Sequence, residues 1–271
     1  MALFPAPAKD DGLPASALRG SEARAAALVA PLERADEPGP PWTRVRVPTI
    51  PVSSPSTSII VPTLEEAASV RELLFRIRRA VPDSEVIVVD DGSADGTADA
   101  AERLGALVLR RERRMGLASA VLDGFALSAG DVVGVMDADL SHPPELIPTL
   151  AALAEGGRIT VASRYVAGGQ ISNWPLRRRL MSHVGAAAAR GLLDLAVRDC
   201  MSGFFFAPRQ AFERTRFRAE GFKLLLNVLV DNPNLQAVEV PYEFSQRVHG
   251  RSKLSAGEIV NFWRTLRALR A

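Results

Sequence analysis

The chain has 271 residues, 47% of them hydrophobic, enough for one large domain or two small ones with a continuous core. A balance of 33 basic against 31 acidic residues leaves a formal charge of +2, which excludes a strongly basic nucleic-acid binder. A single cysteine, Cys200, excludes an intramolecular disulfide and fits a reducing, cytosolic setting.

Residues 1 to 57 are rich in Ala, Pro and Ser, and Pro38, Pro40, Pro41, Pro48, Pro51 and Pro55 interrupt any regular element there. They read as a mostly disordered leader with one short helix around Ala15 to Leu32. Lys9, Asp10 and Asp11 follow a short, proline-broken start, which is not a signal-peptide layout. The character changes at Ser58. Ser58–Pro62 is a short apolar strand, and Glu65–Ala80 a helix with Val70, Leu73, Leu74 and Ile77 on one face. Strands follow at Glu85–Val89, Ala106–Leu109, Val132–Met136 and Ile159–Ala162. Helices follow at Thr97–Leu104, Leu117–Ser128 and Glu145–Ala154. The strands are apolar throughout rather than alternating, so the expected class is α/β, with a parallel sheet buried on both faces.

Ligands of such sheets bind beyond the carboxyl ends of the strands, and the polar residues collect there. Thr63 to Glu66, Asp90-Asp91, Asp137 to Asp139 and Ser163-Arg164 each follow a strand directly. Asp137-Ala138-Asp139 suits a hard divalent cation that bridges a diphosphate, although an Asp-x-Asp also serves as a loop or helix cap. Asp90-Asp91-Gly92-Ser93 caps the next helix or receives donors from a nucleotide base or ribose. The absence of Gly-x-Gly-x-x-Gly and of a Gly-Lys-Ser/Thr loop argues against a dinucleotide or P-loop site.

Arg164, Arg177, Arg178, Arg179, Arg247 and Lys253 suggest an anionic ligand. Arg110, Arg111, Arg113 and Arg114 read instead as a solvated face. His142, His183 and His249 lack zinc spacing and read as structural or exposed. Cys200 reads as a small buried apolar residue. The run Leu224–Val230 carries Asn227, and no stretch approaches the roughly 18 apolar residues that cross a bilayer. The expected protein is soluble or peripheral.

Ser58 to Glu66 (SIIVPTLEE), Glu85 to Thr97 (EVIVVDDGSADGT), Asp137 to Glu145 (DADLSHPPE) and Ala162 to Tyr165 (ASRY) resemble the family 2 glycosyltransferases, which have the GT-A fold. The likeness narrows to members that mannosylate dolichyl and other polyprenyl phosphates. It does so through Trp174 to Ser182 (WPLRRRLMS), Asp199 to Phe204 (DCMSGF), Gly221-Phe222-Lys223 and Glu239 to Leu254 (EVPYEFSQRVHGRSKL).

The resemblance implies a Rossmann-like, mostly parallel sheet flanked by helices over residues 58–271, ending in a C-terminal amphipathic helix. It implies inverting transfer of mannose from GDP-mannose to a polyprenyl phosphate, with Mg2+ or Mn2+, at the cytoplasmic face of a membrane. Asp137, Asp139 and Ser141 would hold the metal. Pro62, Leu64, Glu66, Val89, Asp90, Asp91, Asp137, Ala138, Asp139 and Arg164 would line the donor, with Lys223, Arg247 and Lys253 contacting it or closing over it. Arg164, Arg178 and Ser182 would grip the acceptor phosphate. Leu64 stands where an aromatic is often found, and Asn227 where an acidic residue is common.

The tail Ile259 to Leu269 would lie on an anionic membrane surface or pack on the core; a partner membrane protein is the other route to the membrane. The competing functions are another family 2 transferase using UDP-glucose or UDP-N-acetylglucosamine or a soluble acceptor, and a non-catalytic nucleotide-sugar-binding protein.

Overall fold

The computed structural model describes residues 42–46, 56–172, 174–217, 223–245 and 256–270, with side chains for all of these but 42–46 and 256–260. The expected helix around Ala15 to Leu32, together with Arg247, His249 and Lys253, lies outside the described residues.

In chain order the first half runs β1 (Trp42–Arg46), β2 (Thr57–Thr63), α1 (Ala67–Ala80), β3 (Glu85–Asp90), α2 (Thr97–Arg103), β4 (Leu107–Arg111), α3 (Leu117–Leu127) and β5 (Val132–Val135). A 3-10 turn, Pro144–Leu146, then leads into α4 (Ile147–Glu155). The second half runs β6 (Ile159–Ser163), β7 (Gln170–Ile171), α5 (Leu176–Leu193), β8 (Phe205–Pro208), α6 (Arg209–Arg214), α7 (Leu224–Asp231), β9 (Ala237–Pro241), β10 (Glu243–Phe244) and α8 (Ala256–Arg270).

Eight strands form one sheet in the order β1-β4-β3-β2-β5-β8-β6-β9. β2, β3, β4, β5, β6 and β9 run one way; β8 is antiparallel to both neighbours and β1 antiparallel to β4. This is the mostly parallel sheet that the apolar strands led us to expect, with two reversals that they did not announce. Trp42–Arg46, inside the segment read as leader, is an edge strand paired with β4.

The strand period of two explains why the apolar runs are continuous. Ile59, Val61, Val86 and Val88 join one core with α1, α2 and α4; Ile60, Ile87 and Val89 join a second core with α3, α6 and α7. Both faces are therefore buried, and a polar residue on either would lack water. The reversed β8 fits tightly because its partner is small: a Cβ on Gly134 would lie 2.2 Å from the Phe206 ring. No other residue type leaves room for Phe206 at that register.

Because six strands are parallel, their carboxyl ends share one edge, and each motif residue following a strand is delivered there. Two non-glycine residues adopt left-handed backbone at that edge: Glu65 (φ 58) after β2 and Leu140 (φ 60) after β5. Each costs on the order of 1 kcal/mol, and such strain gathers where loop shape matters to function.

Candidate active site

The β2 and β3 ends are stitched to each other. Ser93 Oγ accepts from the Glu65 amide at 2.8 Å, Asp95 Oδ2 from Ala67 at 2.9 Å, and Thr97 Oγ1 from Glu66 at 2.9 Å. Pro62 and Val89 are buried cross-strand partners. Leu64 is half-buried in the loop, and Glu66 accepts from Ser69 Oγ at 2.6 Å.

Asp90 and Asp91 are both buried. Their mutual repulsion, which a nucleotide was expected to relieve, is relieved by the protein itself. Asp90 accepts from Thr63 Oγ1 at 3.0 Å, Ser93 Oγ at 2.6 Å and the Ser93 amide at 3.0 Å. Asp91 accepts from Arg111 at 2.9 Å and from the Met115 and Gly116 amides at 2.8 and 2.9 Å. Asp91 thus pins the loop that opens α3.

Arg111 corrects the reading of Arg110–Arg114 as a solvated face. Arg113 and Arg114 are exposed, and Arg110 pairs with Asp99 and Glu102. The Arg111 side chain is wholly buried between Asp91 and Asp123. Burial raises the Asp123 carboxyl above its ordinary range, against the pull of Arg111.

Past β5, Asp139 is 4% exposed and its Oδ1 accepts from the Ser141 amide at 3.0 Å. Ser141 is 1% exposed, and its Oγ has no hydrogen-bond partner among the described residues. A buried hydroxyl without a partner costs about 1–3 kcal/mol, so an oxygen-seeking ligand beside it is chemically apt. Asp137 is closely confined: a Cβ on Gly203 would lie 2.6 Å from its Oδ2. Gly203→Ala is therefore expected to displace the carboxylate and lower transfer roughly 10- to 100-fold with little loss of melting temperature, read by steady-state rate and thermal denaturation.

Among the described residues no three His, Cys, Asp or Glu side chains cluster as a metal cage. Two carboxylates and a hydroxyl suit Mg2+ or Mn2+, which take one or two protein carboxylates and complete the shell with water and substrate phosphate.

His142, expected to be structural or exposed, is structural. It is 2% exposed, packed among Phe204, Tyr242 and Phe244, with Nδ1 2.9 Å from the Tyr242 hydroxyl and Nε2 3.5 Å from Asp137 Oδ2. The only sequence signal was its place three residues after an Asp-x-Asp. Ser245 donates its amide to the Ser141 carbonyl at 3.2 Å, a second tie between this loop and the β10 end.

On the other side of β8, Arg164 meets Asp199 three times: Nε to Oδ2 at 2.8 Å, Nη2 to Oδ1 at 2.7 Å, and its amide to Oδ2 at 2.9 Å. Burial opposes the charge on Arg164, but Asp199 outweighs it and holds the guanidinium above its ordinary range. Asp199 is itself fixed, since its amide donates to Glu239 at 2.9 Å, and Glu239 also receives Ser163 Oγ at 2.7 Å and the Arg198 amide at 2.7 Å. Arg164 is thus a neutralised pair rather than a bare cation.

Of the remaining expected residues, Arg178, Ser182 and Lys223 gather near it. Trp174 carries Arg178 at 3.9 Å and Arg164 at 5.9 Å from its ring centre. Ser182 Oγ is 2.6 Å from the hydroxyl of Tyr165, and the Arg164 guanidinium lies 5.1 Å from the centre of the Tyr165 ring. Lys223 caps the start of α7, its ammonium pulled below its usual range by burial and then by Arg164, with Asp137 and Asp199 opposing. Arg177 and Arg179 point outward, although Arg179 reaches the Ile171 carbonyl. Asn227 is buried in α7. Cys200 is buried, and burial, with Asp199 second, pushes its thiol up to about 12, which makes it inert.

Residues 58–216 match the family model described as glycosyl transferase family 2. The chain is 40% identical over 218 residues to a dolichol-phosphate mannosyltransferase of Pyrococcus furiosus, a match covering 76% of this chain and 61% of that protein. It is 37% identical over 211 residues to an undecaprenyl-phosphate mannosyltransferase of Micrococcus luteus, covering 73% and 87%. It is 34% identical over 231 residues to a dolichol-phosphate mannosyltransferase of Saccharomyces cerevisiae, covering 78% and 86%. Among solved structures, a glucosyl-3-phosphoglycerate synthase of Mycobacterium tuberculosis, crystallised with Mn2+, UDP-glucose and phosphoglyceric acid, superposes with TM-score 0.61 at 24% identity over 80% of this chain and 79% of that one. That likeness shows the shared GT-A fold. With its strand-end motifs on one sheet edge and the family match across more than half its length, the chain belongs to glycosyl transferase family 2 and is a glycosyltransferase.

Proposed function

We propose that this transferase moves mannose from GDP-mannose to the phosphate of a polyprenyl phosphate, inverting the anomeric centre. The names of the relatives support mannose and a polyprenyl phosphate. The observation that carries the reading is the state of Asp199. It is fully buried and its two oxygens receive three bonds from Arg164, while Glu239 behind it is taken up by Ser163 and two amides. A sugar or glycerate hydroxyl attacking with inversion needs a general base, commonly a carboxylate, to take its proton. A phosphate monoester, with second pKa about 6, arrives already ionised and needs none.

In that reaction a phosphate oxygen attacks the anomeric carbon, the bond from that carbon to the donor diphosphate breaks, and the nucleoside diphosphate leaves with the electron pair. No proton is transferred. Asp137, Asp139 and Ser141 would hold a divalent cation, which supplies charge neutralisation at the diphosphate. Pro62, Leu64, Glu66, Val89, Asp90, Asp91 and Ala138 would wall the donor; Leu64 offers apolar contact where a ring would stack. Arg178 and Ser182 would hold the acceptor phosphate. Arg164 retains N–H donors beyond those given to Asp199, and with Lys223, Arg247 and Lys253 would meet the donor phosphates. Labelled GDP-mannose, GDP-glucose, UDP-glucose and UDP-N-acetylglucosamine, offered singly with polyprenyl phosphate, test the donor. Label from GDP-mannose should dominate the organic extract; dominance of a UDP-sugar would refute the reading.

We also place the enzyme at a membrane surface through α5. Among the described residues no helix is long and apolar enough to cross a bilayer. The expected contact through the tail is only partly available, because Leu266 and Leu269 of α8 are buried in the core while Trp263 is exposed. Helix α5 instead exposes Leu176 (80%), Leu180 (61%), Met181 and Val184, flanked by exposed Arg177 and Arg179. This is an apolar stripe with cations beside it, as on helices that lie in an anionic interface. Leu176→Asp/Leu180→Asp should weaken co-sedimentation with anionic vesicles roughly tenfold or more, while transfer to a detergent-solubilised short-chain acceptor is retained.

A further inference from the structure

Helix α5 is weakly anchored for its length. Of its 18 residues, the buried ones are Ala186 and Ala189, both in its second half. Its first half is tied to the sheet by polar and cation–π contacts: Arg179 to the Ile171 carbonyl at 2.6 Å, Arg178 over Trp174, and Ser182 to Tyr165 at 2.6 Å. The last of these joins α5 directly to the end of β6.

Tyr165 is itself held firmly. Its amide donates to Ser163 Oγ at 3.2 Å, its ring lies 4.2 Å from that of His183, and the Arg164 guanidinium sits 5.1 Å from its centre. Burial raises its phenol above the ordinary range, so it is a neutral hydroxyl at physiological pH. A neutral phenol beside a serine hydroxyl can donate to Ser182 Oγ, which leaves the serine's own proton for a third group. Arg178 lies one turn before Ser182 on the same helix face, so whatever fixes Ser182 also fixes the height of Arg178.

We propose that Tyr165 is a positioning residue of the acceptor site: its hydroxyl holds Ser182, and through α5 Arg178, in place to receive the acceptor phosphate. This rests on the assignment of Ser182 to the acceptor made above. In this role Tyr165 acts through Ser182 and not on the reacting carbon or the donor. Its loss should appear in the KM for acceptor and leave donor affinity unchanged.

A double-mutant cycle on the full chain tests this. Tyr165→Phe keeps the ring, its contacts with His183 and Arg164, and removes only the hydroxyl. It should raise the KM for polyprenyl phosphate roughly three- to tenfold, as loss of one hydrogen bond warrants. The dissociation constant for GDP-mannose, from calorimetry, should stay within about twofold of wild type. Ser182→Ala should raise the acceptor KM at least as much, and adding Tyr165→Phe to it should change nothing further. Equal effects of Tyr165→Phe with and without Ser182 would show that Tyr165 acts elsewhere and overturn the proposal while leaving Ser182 in the acceptor site. An unchanged acceptor KM in Ser182→Ala would remove both the acceptor assignment and the proposal built on it.

Discussion

Asp139→Ala is expected to reduce transfer by about 10³-fold or more while the protein remains folded. Asp139 is buried, and its Oδ1 accepts from the Ser141 amide. The loop has other supports: Met136 donates to the Ile60 carbonyl at 3.1 Å and Ser245 to the Ser141 carbonyl at 3.2 Å. Losing one bond of the loop costs on the order of 1 kcal/mol of stability. The catalytic loss should be far larger, because the divalent cation that Asp139 would hold supplies the charge that offsets the departing diphosphate. Asp139→Asn separates the two contributions: it keeps an acceptor for the Ser141 amide, so its melting temperature should match wild type while activity stays near the Asp139→Ala level. Parallel thermal denaturation and radiolabel transfer check both; full activity in either variant would refute the site.

The second large effect belongs to Asp199. Replacing it by alanine leaves Arg164 buried, with 9% of its side chain exposed, and without the carboxylate that neutralises it. Breaking a buried pair in this way costs about 3–5 kcal/mol, which for a domain of this size lowers the melting temperature by on the order of 10 °C. The loss should exceed that of an ordinary surface substitution for a further reason: Asp199 also anchors the Arg164 amide, and so the turn out of β6. The double variant Asp199→Leu/Arg164→Met should regain most of the stability, since an apolar pair of similar volume avoids the uncompensated charge. It should not regain activity, because the Arg164 guanidinium that lies over Tyr165, Trp174 and Phe244 would be lost. Recovery of both would show that the pair serves folding alone.

What was legible in the sequence was local. The starts and ends of β2, β3, β5 and β6 fall within a residue or two of the apolar runs, because a strand buried on both faces is apolar at nearly every position; the buried Ser58 and Thr160 bond to Glu85 and to the Leu150 carbonyl. The direction of β8 was not legible. Phe204 to Ala207 is apolar whichever way the strand runs, and the antiparallel register depends on the space above Gly134, seventy residues earlier in the chain. The edge strand β1 was hidden among prolines, which weaken strand signals on both sides.

The same divide runs through the site. Asp137, Asp139, Asp91 and Arg164 stood out because each follows a strand, and the fold brings the strand ends together. The partners of Asp91 and Arg164 did not stand out, since Arg111 and Asp199 find them only in space. Arg111 sat in a run of arginines that looked solvated. In β4 neighbouring side chains point to opposite faces, so Arg110 meets Asp99 and Glu102 while Arg111 turns inward to Asp91 and Asp123. Compensation of this kind also revises the electrostatics. The cations at the strand ends are not an uncancelled positive ring, because Arg164 and Arg111 are already paired within the protein.

The chemical identity of the acceptor is the central claim, and it can be measured at fixed donor. GDP-mannose should be incubated with polyprenyl phosphate, with the corresponding polyprenol, and with 3-phosphoglycerate. Transfer to polyprenyl phosphate alone, with the rate nearly flat above the acceptor's second pKa of about 6, is the predicted result. Efficient mannosylation of the alcohol or of the glycerate hydroxyl would mean that a general base operates in this site, and would contradict the account.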